Sequence, residues 1–175
     1  MNPKTVGSTE IYKGRILDLY LDSVRLENGK EAPREVVRHK KAACIFAYDK
    51  THAYLAEQYR HPMGRYITEL VAGLCEEDED PKDTAVRELQ EEINALCKEP
   101  VFLGEYYSSP GFCDEIIYMY AAEITGFEKG TPDEDEFVRT KKIPLDDFYR
   151  MIDSGEIKDG KTVAAVCKLR CLEQK

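Results

Sequence analysis

The chain has no apolar run approaching the roughly 20 residues that a membrane-spanning helix needs, and no secretory segment is recognisable in it. A cytoplasmic protein without membrane contact is the expectation. Histidine is scarce, three residues without clustering, and the six cysteines at 44, 75, 97, 113, 167 and 171 make no CxxC pair. Both shortages count against a zinc site or a disulfide scaffold and predict reduced, mostly packed thiols. Positive charge is in deficit, with 25 Lys and Arg against 34 Asp and Glu and a formal net charge of -9. That balance argues against nucleic acid or an acidic membrane surface as a partner. It leaves room for a phosphorylated small molecule, because a divalent metal can invert the local sign. Internal repeats and low-complexity segments are also absent.

What remains is a chain of 175 residues, 42% apolar, enough for one sizeable core with a small appendage. Residues 1–8 read as a loose lead-in. Arg15–Leu26 has near-alternating aliphatic residues and runs into Glu27-Asn28-Gly29-Lys30, a hairpin signal, with Ala32–His39 as the return strand. These predict a small N-terminal antiparallel β-sheet over residues 1–40. From 41 to 175 the pattern changes. AACIFAY from Ala42, the turn DKTH and AYLAEQYR predict a more buried hairpin, and Arg65–Ala72 a short strand entering a glycine loop. Further strands are expected at Val101–Tyr107, Glu115–Glu123 and Phe137–Ile143, and helices near Leu145–Ile152 and Lys161–Leu172. Gly126–Asp135 reads as a polar, acidic loop. Mixed strands with a few helices predict an α/β layered fold and not a doubly wound parallel sheet.

The most informative stretch is Glu69–Ala95, ELVAGLCEEDEDPKDTAVRELQEEINA. Asp80 can cap a helix, Pro81 suits its first position, and Asp83 stands where a capping-box acid would. Ala85, Leu89, Ile93 and Leu96 recur at three and four residues and give the buried stripe. Glu88 and Glu92 are four apart, so their carboxylates stand one above the other on one face, with Glu91 beside them. Such repulsion calls for a positive partner. On an arbitrary helix the ordinary reading is a solvated acidic face; a hard divalent ion held by Glu88 and Glu92, with Glu91 joining it, is the other way to meet the need. Arg87 reads as an orienting partner for Glu91 through a charge-assisted hydrogen bond.

Gly73, Glu79 and Arg87-Glu88-Leu89-Gln90-Glu91-Glu92, at their spacing, resemble the Nudix hydrolase box. One position departs, Asn94 in place of glycine, and asparagine is the residue that best follows glycine in a left-handed helix end. Five further segments resemble the ADP-ribose pyrophosphatase branch of that family: REVVRHK from Arg34, EQYRHPMGRYITEL from Glu57, SSPGFCDEIIYMYAAE from Ser108, DEDEFV from Asp133, and SGEIKDGKTVAAV near the end. The resemblance implies a Nudix α/β/α sandwich with a mixed sheet, preceded by the N-terminal sheet, which takes part in a homodimer. It implies cleavage of the pyrophosphate of ADP-ribose to AMP and ribose 5-phosphate with Mg2+, Mn2+ or another divalent ion.

The resemblance also implies roles. The backbone carbonyl of Ala72 joins Glu88, Glu91 and Glu92 as a metal ligand, while Gly73, Glu79 and Asn94 are structural members of the box. The water-activating base comes from the loop before a late strand, Glu136 first and Glu134 second. Arg60 beside Tyr59 reads as a phosphate donor next to a ring that can stack on adenine, and Arg65 as a similar cation. Gly111 and Phe112 would shape the loop over the terminal ribose, Glu115 orient metal or phosphate, and Arg34 approach the adenosine end. The chain departs from the branch at Val71 and Leu74, where LPAGK is common, and at His39–Ala43, where HPGAV is common. Neither departure removes a metal ligand, and both bear on substrate range. Other nucleoside diphosphate sugars, dinucleotides such as NADH or FAD, and a non-catalytic ADP-ribose-binding module are the alternatives.

Overall fold

The computed structural model describes residues 2–128 and 138–173. By their internal contacts they form two compact units, Met1–Lys41 with Tyr107–Ile116, and Ala42–Tyr106 with Ile117–Lys175.

The first unit is an antiparallel sheet of β1 (Lys4–Lys13), β2 (Leu17–Arg25) and β3 (Glu31–His39), in that order. The Asn-Gly turn forms as expected, with Gly29 at a φ of 79° and the Lys30 amide donating to Asn28 Oδ1 at 3.0 Å. The loose lead-in does not form, because β1 starts at Lys4. All ten of its residues are exposed. The strand rests on its backbone ladder to β2 and on polar cross-strand bonds such as Ser8 Oγ to Asp22 Oδ1 at 2.5 Å, which leave no apolar period in the sequence. Tyr107–Ile116 attaches to β3, an edge strand of this unit: the Val37 amide donates to the Phe112 carbonyl at 2.7 Å, and the His39 amide to Asp114 Oδ1 at 2.8 Å.

The second unit is built on β4 (Ala42–Tyr48) and β5 (His52–Arg60), the expected buried hairpin. The two strands pair only at Ala47–Tyr54 and Tyr48–Ala53. Beyond that, the next segment fills the space between them. Its first half, β6 (Arg65–Glu69), pairs with β5, and its second half, β7 (Val71–Leu74), pairs with β4. The single strand expected at Arg65–Ala72 is therefore two, changing partner at Leu70, and Gly73 lies within a strand and not in a loop. β8 (Ala95–Cys97), which the sequence did not suggest, β9 (Val101–Tyr107), β10 (Ile116–Phe127) and β11 (Arg139–Pro144) complete a mixed sheet in the order β11-β5-β4-β10-β8, with β4 and β10 parallel. The extra reach of β10 takes Gly126 and Phe127 out of the expected acidic loop; of its remainder Glu128 is described, and residues 129–135 lie outside the described residues.

Helices α1 (Pro81–Ile93), α2 (Leu145–Asp153) and α3 (Gly160–Glu173) cover the sheet. Alternation along β4 decides which helix each residue meets. Ala42, Cys44 and Phe46 pack with Phe148, Ile152, Val166 and Leu169 of α2 and α3. Ala43, Ile45 and Ala47 pack with Ala85, Leu89 and Ile93 of α1. Helices on both faces explain why β4 reads as an unbroken apolar run, and the architecture is the α/β/α sandwich.

Leu96 leaves the expected helical stripe, because α1 ends at Asn94 (φ 58°, ψ 28°) and Leu96 lies exposed on β8. All six cysteines are free, with Cys44 buried and Cys167 and Cys171 exposed on α3. Burial pushes the Cys44 thiol up to about 12. Among the described residues, no helix is long and apolar enough to cross a membrane.

Candidate active site

Residues 75–80 carry the chain from β7 to α1, and Glu79 organises that loop. Its Oε2 accepts from the Glu76 amide at 3.0 Å, the Thr84 hydroxyl at 2.7 Å and Arg87 Nη2 at 3.1 Å, while Oε1 accepts from Arg87 Nε at 2.9 Å. Asp80 caps α1 by accepting from the Lys82 amide at 2.8 Å. The Arg87 guanidinium above all, helped by the Glu76 amide and Thr84, holds the Glu79 carboxyl down at about 2. Arg87 is itself pushed further above its usual range, chiefly by the bond to Glu79.

A depressed carboxylate stabilises the fold fully above its ordinary pKa, near 4.3, and loses that contribution as the pH falls toward 2. Glu79→Gln is therefore expected to cost about 2 kcal/mol at neutral pH. The gap from the parent should narrow below about pH 4.5 and nearly close around pH 2. Urea unfolding at pH 7 and pH 3 reads this directly, and a gap equal at both would remove the ionised Glu79–Arg87 pair as its source.

Arg87 has further partners. Nη1 donates to Glu88 Oε1 at 2.7 Å and to Glu91 Oε2 at 2.8 Å, and Nη2 to the Leu74 carbonyl at 3.2 Å. One guanidinium thus ties the end of β7, the loop and two box carboxylates together. The bond to Glu91 is the one expected; those to Glu88 and Leu74 are additional.

Glu88 is buried on the sheet side of α1. Its carboxylate lies against Gly73: a Cβ added at residue 73 would come within 2.6 Å of Glu88 Oε2, and closer still to Oε1 and Cδ. The glycine is required here for lack of a side chain, since its φ is not left-handed. Ala72 precedes it on β7, in register with Cys44 of β4. Glu92 lies one turn along from Glu88, its Oε2 shielded from solvent.

Among the described residues, no three carboxylate, histidine or cysteine side chains converge closely enough to hold a metal ion as they stand, and Glu88 and Glu91 are turned toward Arg87. The donor set nevertheless fits a hard divalent ion. It consists of carboxylate oxygens on one helix turn, beside a glycine whose missing side chain leaves room for one of them.

Arg60, at the end of β5, donates through Nε to Glu69 Oε1 at 2.7 Å. Tyr59 precedes it on the strand and so points to the opposite face. Its ring meets Tyr66 edge-on with centroids 5.5 Å apart, so adjacency in sequence does not bring Tyr59 beside the Arg60 guanidinium. Arg65, opposite Arg60 on β6, borders a cavity of about 430 Å³ with Tyr66, Ser154 and Lys158.

In the first unit, Arg34, Gly111, Phe112 and Glu115 border one cavity of about 570 Å³. The Phe112 and Cys113 amides both donate to the Ser109 carbonyl, shaping the turn, and Glu115 Oε1 lies 3.4 Å from His39 Nδ1. Glu134 and Glu136 lie outside the described residues. Sequence reasoning assigned no part to Glu69, Asp159 and Lys161. A strand acid among apolar neighbours and the Asp-Gly-Lys-Thr run that opens α3 were the available signals.

Residues 37–166 match the model of the NUDIX domain, and residues 3–37 that of the nucleoside diphosphate sugar hydrolase N-terminal domain. The chain is similar to the ADP-ribose pyrophosphatase of Bacillus subtilis (strain 168), 38% identical over 176 residues, which cover 99% of this chain and 95% of that protein. It is 39% identical over 173 residues to a protein of Bacillus methanolicus named methanol dehydrogenase activator, across 97% of this chain and 94% of the other. A crystal structure of an ADP compounds hydrolase superimposes with a TM-score of 0.89 at 19% identity, covering 99% of this chain and 95% of that one, a likeness of fold. The matched domain spans the strand, loop and helix that carry Gly73, Glu79 and Arg87–Glu92, and the chain belongs to the Nudix hydrolase family.

Proposed function

We propose that the protein hydrolyses the pyrophosphate of ADP-ribose, taking up one water and releasing AMP and ribose 5-phosphate. The observation that carries this reading is the packing of the Glu88 carboxylate against Gly73, with Arg87 bridging Glu79, Glu88 and Glu91 around it. Such preorganisation has no use on a solvated surface helix and suits a carboxylate kept for a cation. Glu88, Glu91, Glu92 and the Ala72 carbonyl would hold the divalent ion, with magnesium first and manganese as an alternative. When bound, that ion supplies positive charge against the charge that builds on phosphoryl oxygens.

The chain's own residues do the rest. Arg87 fixes the rotamers of Glu88 and Glu91, and Glu79 fixes Arg87. Arg60 offers its guanidinium to the pyrophosphate. Arg65 and Tyr59 are further substrate contacts of the second unit; Arg34, Gly111, Phe112 and Glu115 are those of the first. Glu136, or failing it Glu134, takes the proton of the attacking water. The relatives named for ADP-ribose and for nucleoside diphosphate sugars support the substrate class, and homodimerisation is proposed with them.

A second reading within the class, another nucleoside diphosphate sugar or a dinucleotide, is favoured by Val71 and Leu74, which flank the Ala72–Gly73 pair. Product chromatography on ADP-ribose, ADP-glucose, NADH, FAD and diadenosine compounds with magnesium separates the two. ADP-ribose is expected to lead by tenfold or more, with turnover lost on chelation by EDTA and restored by magnesium. Another leading compound moves the substrate to the second reading. Nucleotide binding without cleavage of any of them makes the protein a binding module.

A further inference from the structure

Glu69 is almost completely buried, and its two oxygens serve different cations. Oε1 accepts from Arg60 Nε at 2.7 Å, and Oε2 accepts from Lys161 Nζ. Lys161 is also buried, and its ammonium donates as well to Asp159 Oδ1 at 3.1 Å. Asp159 in turn caps α3: its Oδ2 accepts from the Thr162 amide at 3.0 Å and from the Thr162 hydroxyl at 2.6 Å. Thr162 Oγ1 then accepts from the Leu70 amide at 2.9 Å, at the point where the chain changes partner between β6 and β7. The first turn of α3 thus grips both the carboxylate that holds Arg60 and the backbone two residues before Ala72.

The arrangement is more than a buried ion pair that docks a helix. Lys161 and Glu69 could balance each other alone, yet the second oxygen of Glu69 is spent on Arg60, whose side chain is 41% exposed. Glu69 takes the Nε–H, and the two Nη groups are the other donors of the guanidinium. Burial works against the Arg60 charge, but the bond to Glu69 and the nearby carboxylates of Glu69, Glu92 and Asp159 outweigh it and raise its pKa.

We infer that Glu69 and Lys161 are positioning residues for pyrophosphate binding: Lys161 holds Glu69, and Glu69 holds the Arg60 guanidinium in place. The inference rests on the reading of Arg60 as a ligand of the substrate pyrophosphate. It assigns to the Asp159–Thr162 turn a duty at the site without contact to substrate.

Two variants test it, each made with Arg60 intact and with Arg60→Gln. Glu69→Asp keeps a carboxylate for Lys161 but withdraws it from Arg60. Glu69→Gln combined with Lys161→Gln removes both charges together, so that no buried ion is left unpaired. With Arg60 intact, each is expected to lower kcat/KM at least tenfold; with Arg60→Gln in place, neither should lower it further by more than twofold. Equal losses in both backgrounds would reduce the cluster to support of the fold, and full activity of Glu69→Asp with Arg60 intact would also overturn the inference. If the doubly neutral variant fails to fold, Glu69→Asp decides alone. Calorimetric titration with ADP separates this question from the substrate reading. A protein that cleaves no nucleotide pyrophosphate refutes that reading, while the same non-additivity in ADP affinity still supports the positioning role. Equal ADP affinity for the parent and Glu69→Asp overturns it.

Discussion

Glutamine in place of Glu92 is expected to lower turnover of ADP-ribose with magnesium by roughly 100- to 1,000-fold, equivalent to about 3–4 kcal/mol of lost transition-state stabilisation. The substitution keeps the shape of the side chain and removes only its charge. The buried face of α1 rests on Ala85, Leu89 and Ile93, none of which changes. Losing a like charge four residues from Glu88 removes a repulsion of a few tenths of a kcal/mol, so the melting temperature is expected to stay within a few degrees or rise. Arg60 keeps Glu69 as its hydrogen-bonded partner in the variant. A large kinetic loss with intact stability is thus specific to a carboxylate needed for its charge. Near-normal turnover would remove Glu92 from the proposed cation site, and loss of activity together with melting would make it a structural residue instead.

How much of this could be read from the sequence depended on the kind of force involved. Local chemistry was legible. Asp80 and Pro81 start α1, Asn94 ends it in the left-handed conformation, and the Asn-Gly turn forms between β2 and β3. Unbroken apolar runs found β4 and β5, because both faces of the central sheet are covered. The elements that escaped are those without a burial period. β1 is exposed throughout and held by main-chain pairing, and β8 has three residues. Leu96 had the spacing of the helical stripe, but the left-handed Asn94 turned the chain away before the pattern could continue.

At the site, Arg87 and Glu79 were legible because their partners lie within one loop and one turn of helix. The Glu69–Lys161 pair was not, since the residues are 92 apart in sequence and only the α3 contact to the β6–β7 junction brings them together. Tyr59 and Arg60 show the converse: neighbours in sequence, they are separated by the alternation of a strand.

Alanine at Gly73 is expected to be nearly as damaging as the loss of a box carboxylate, by steric means alone. The strand can accept alanine, because φ at residue 73 is not in the left-handed region and alanine carries no special strand penalty. The obstacle is Glu88, whose Oε1, Cδ and Oε2 occupy the space the new methyl group needs. Displacement of the backbone is opposed by the pairing of β7 with β4 and by the buried Val71 beside it. The carboxylate must therefore move, against its 2.7 Å bond to Arg87. A shift of about 1 Å in a reacting geometry costs on the order of 100-fold in rate, and kcat is expected to fall by at least that much. Stability should fall by about 1–3 kcal/mol, the usual cost of overpacking, which leaves the fold in place. The informative comparison is Gly73→Ala combined with Glu88→Ala, which makes room for the methyl group. If the clash with Glu88 is the whole cause, the combination should recover the melting temperature of Glu88→Ala alone while remaining inactive. A combined variant less stable than Glu88→Ala by the full cost of Gly73→Ala would mean that residue 73 is constrained by something other than the Glu88 carboxylate.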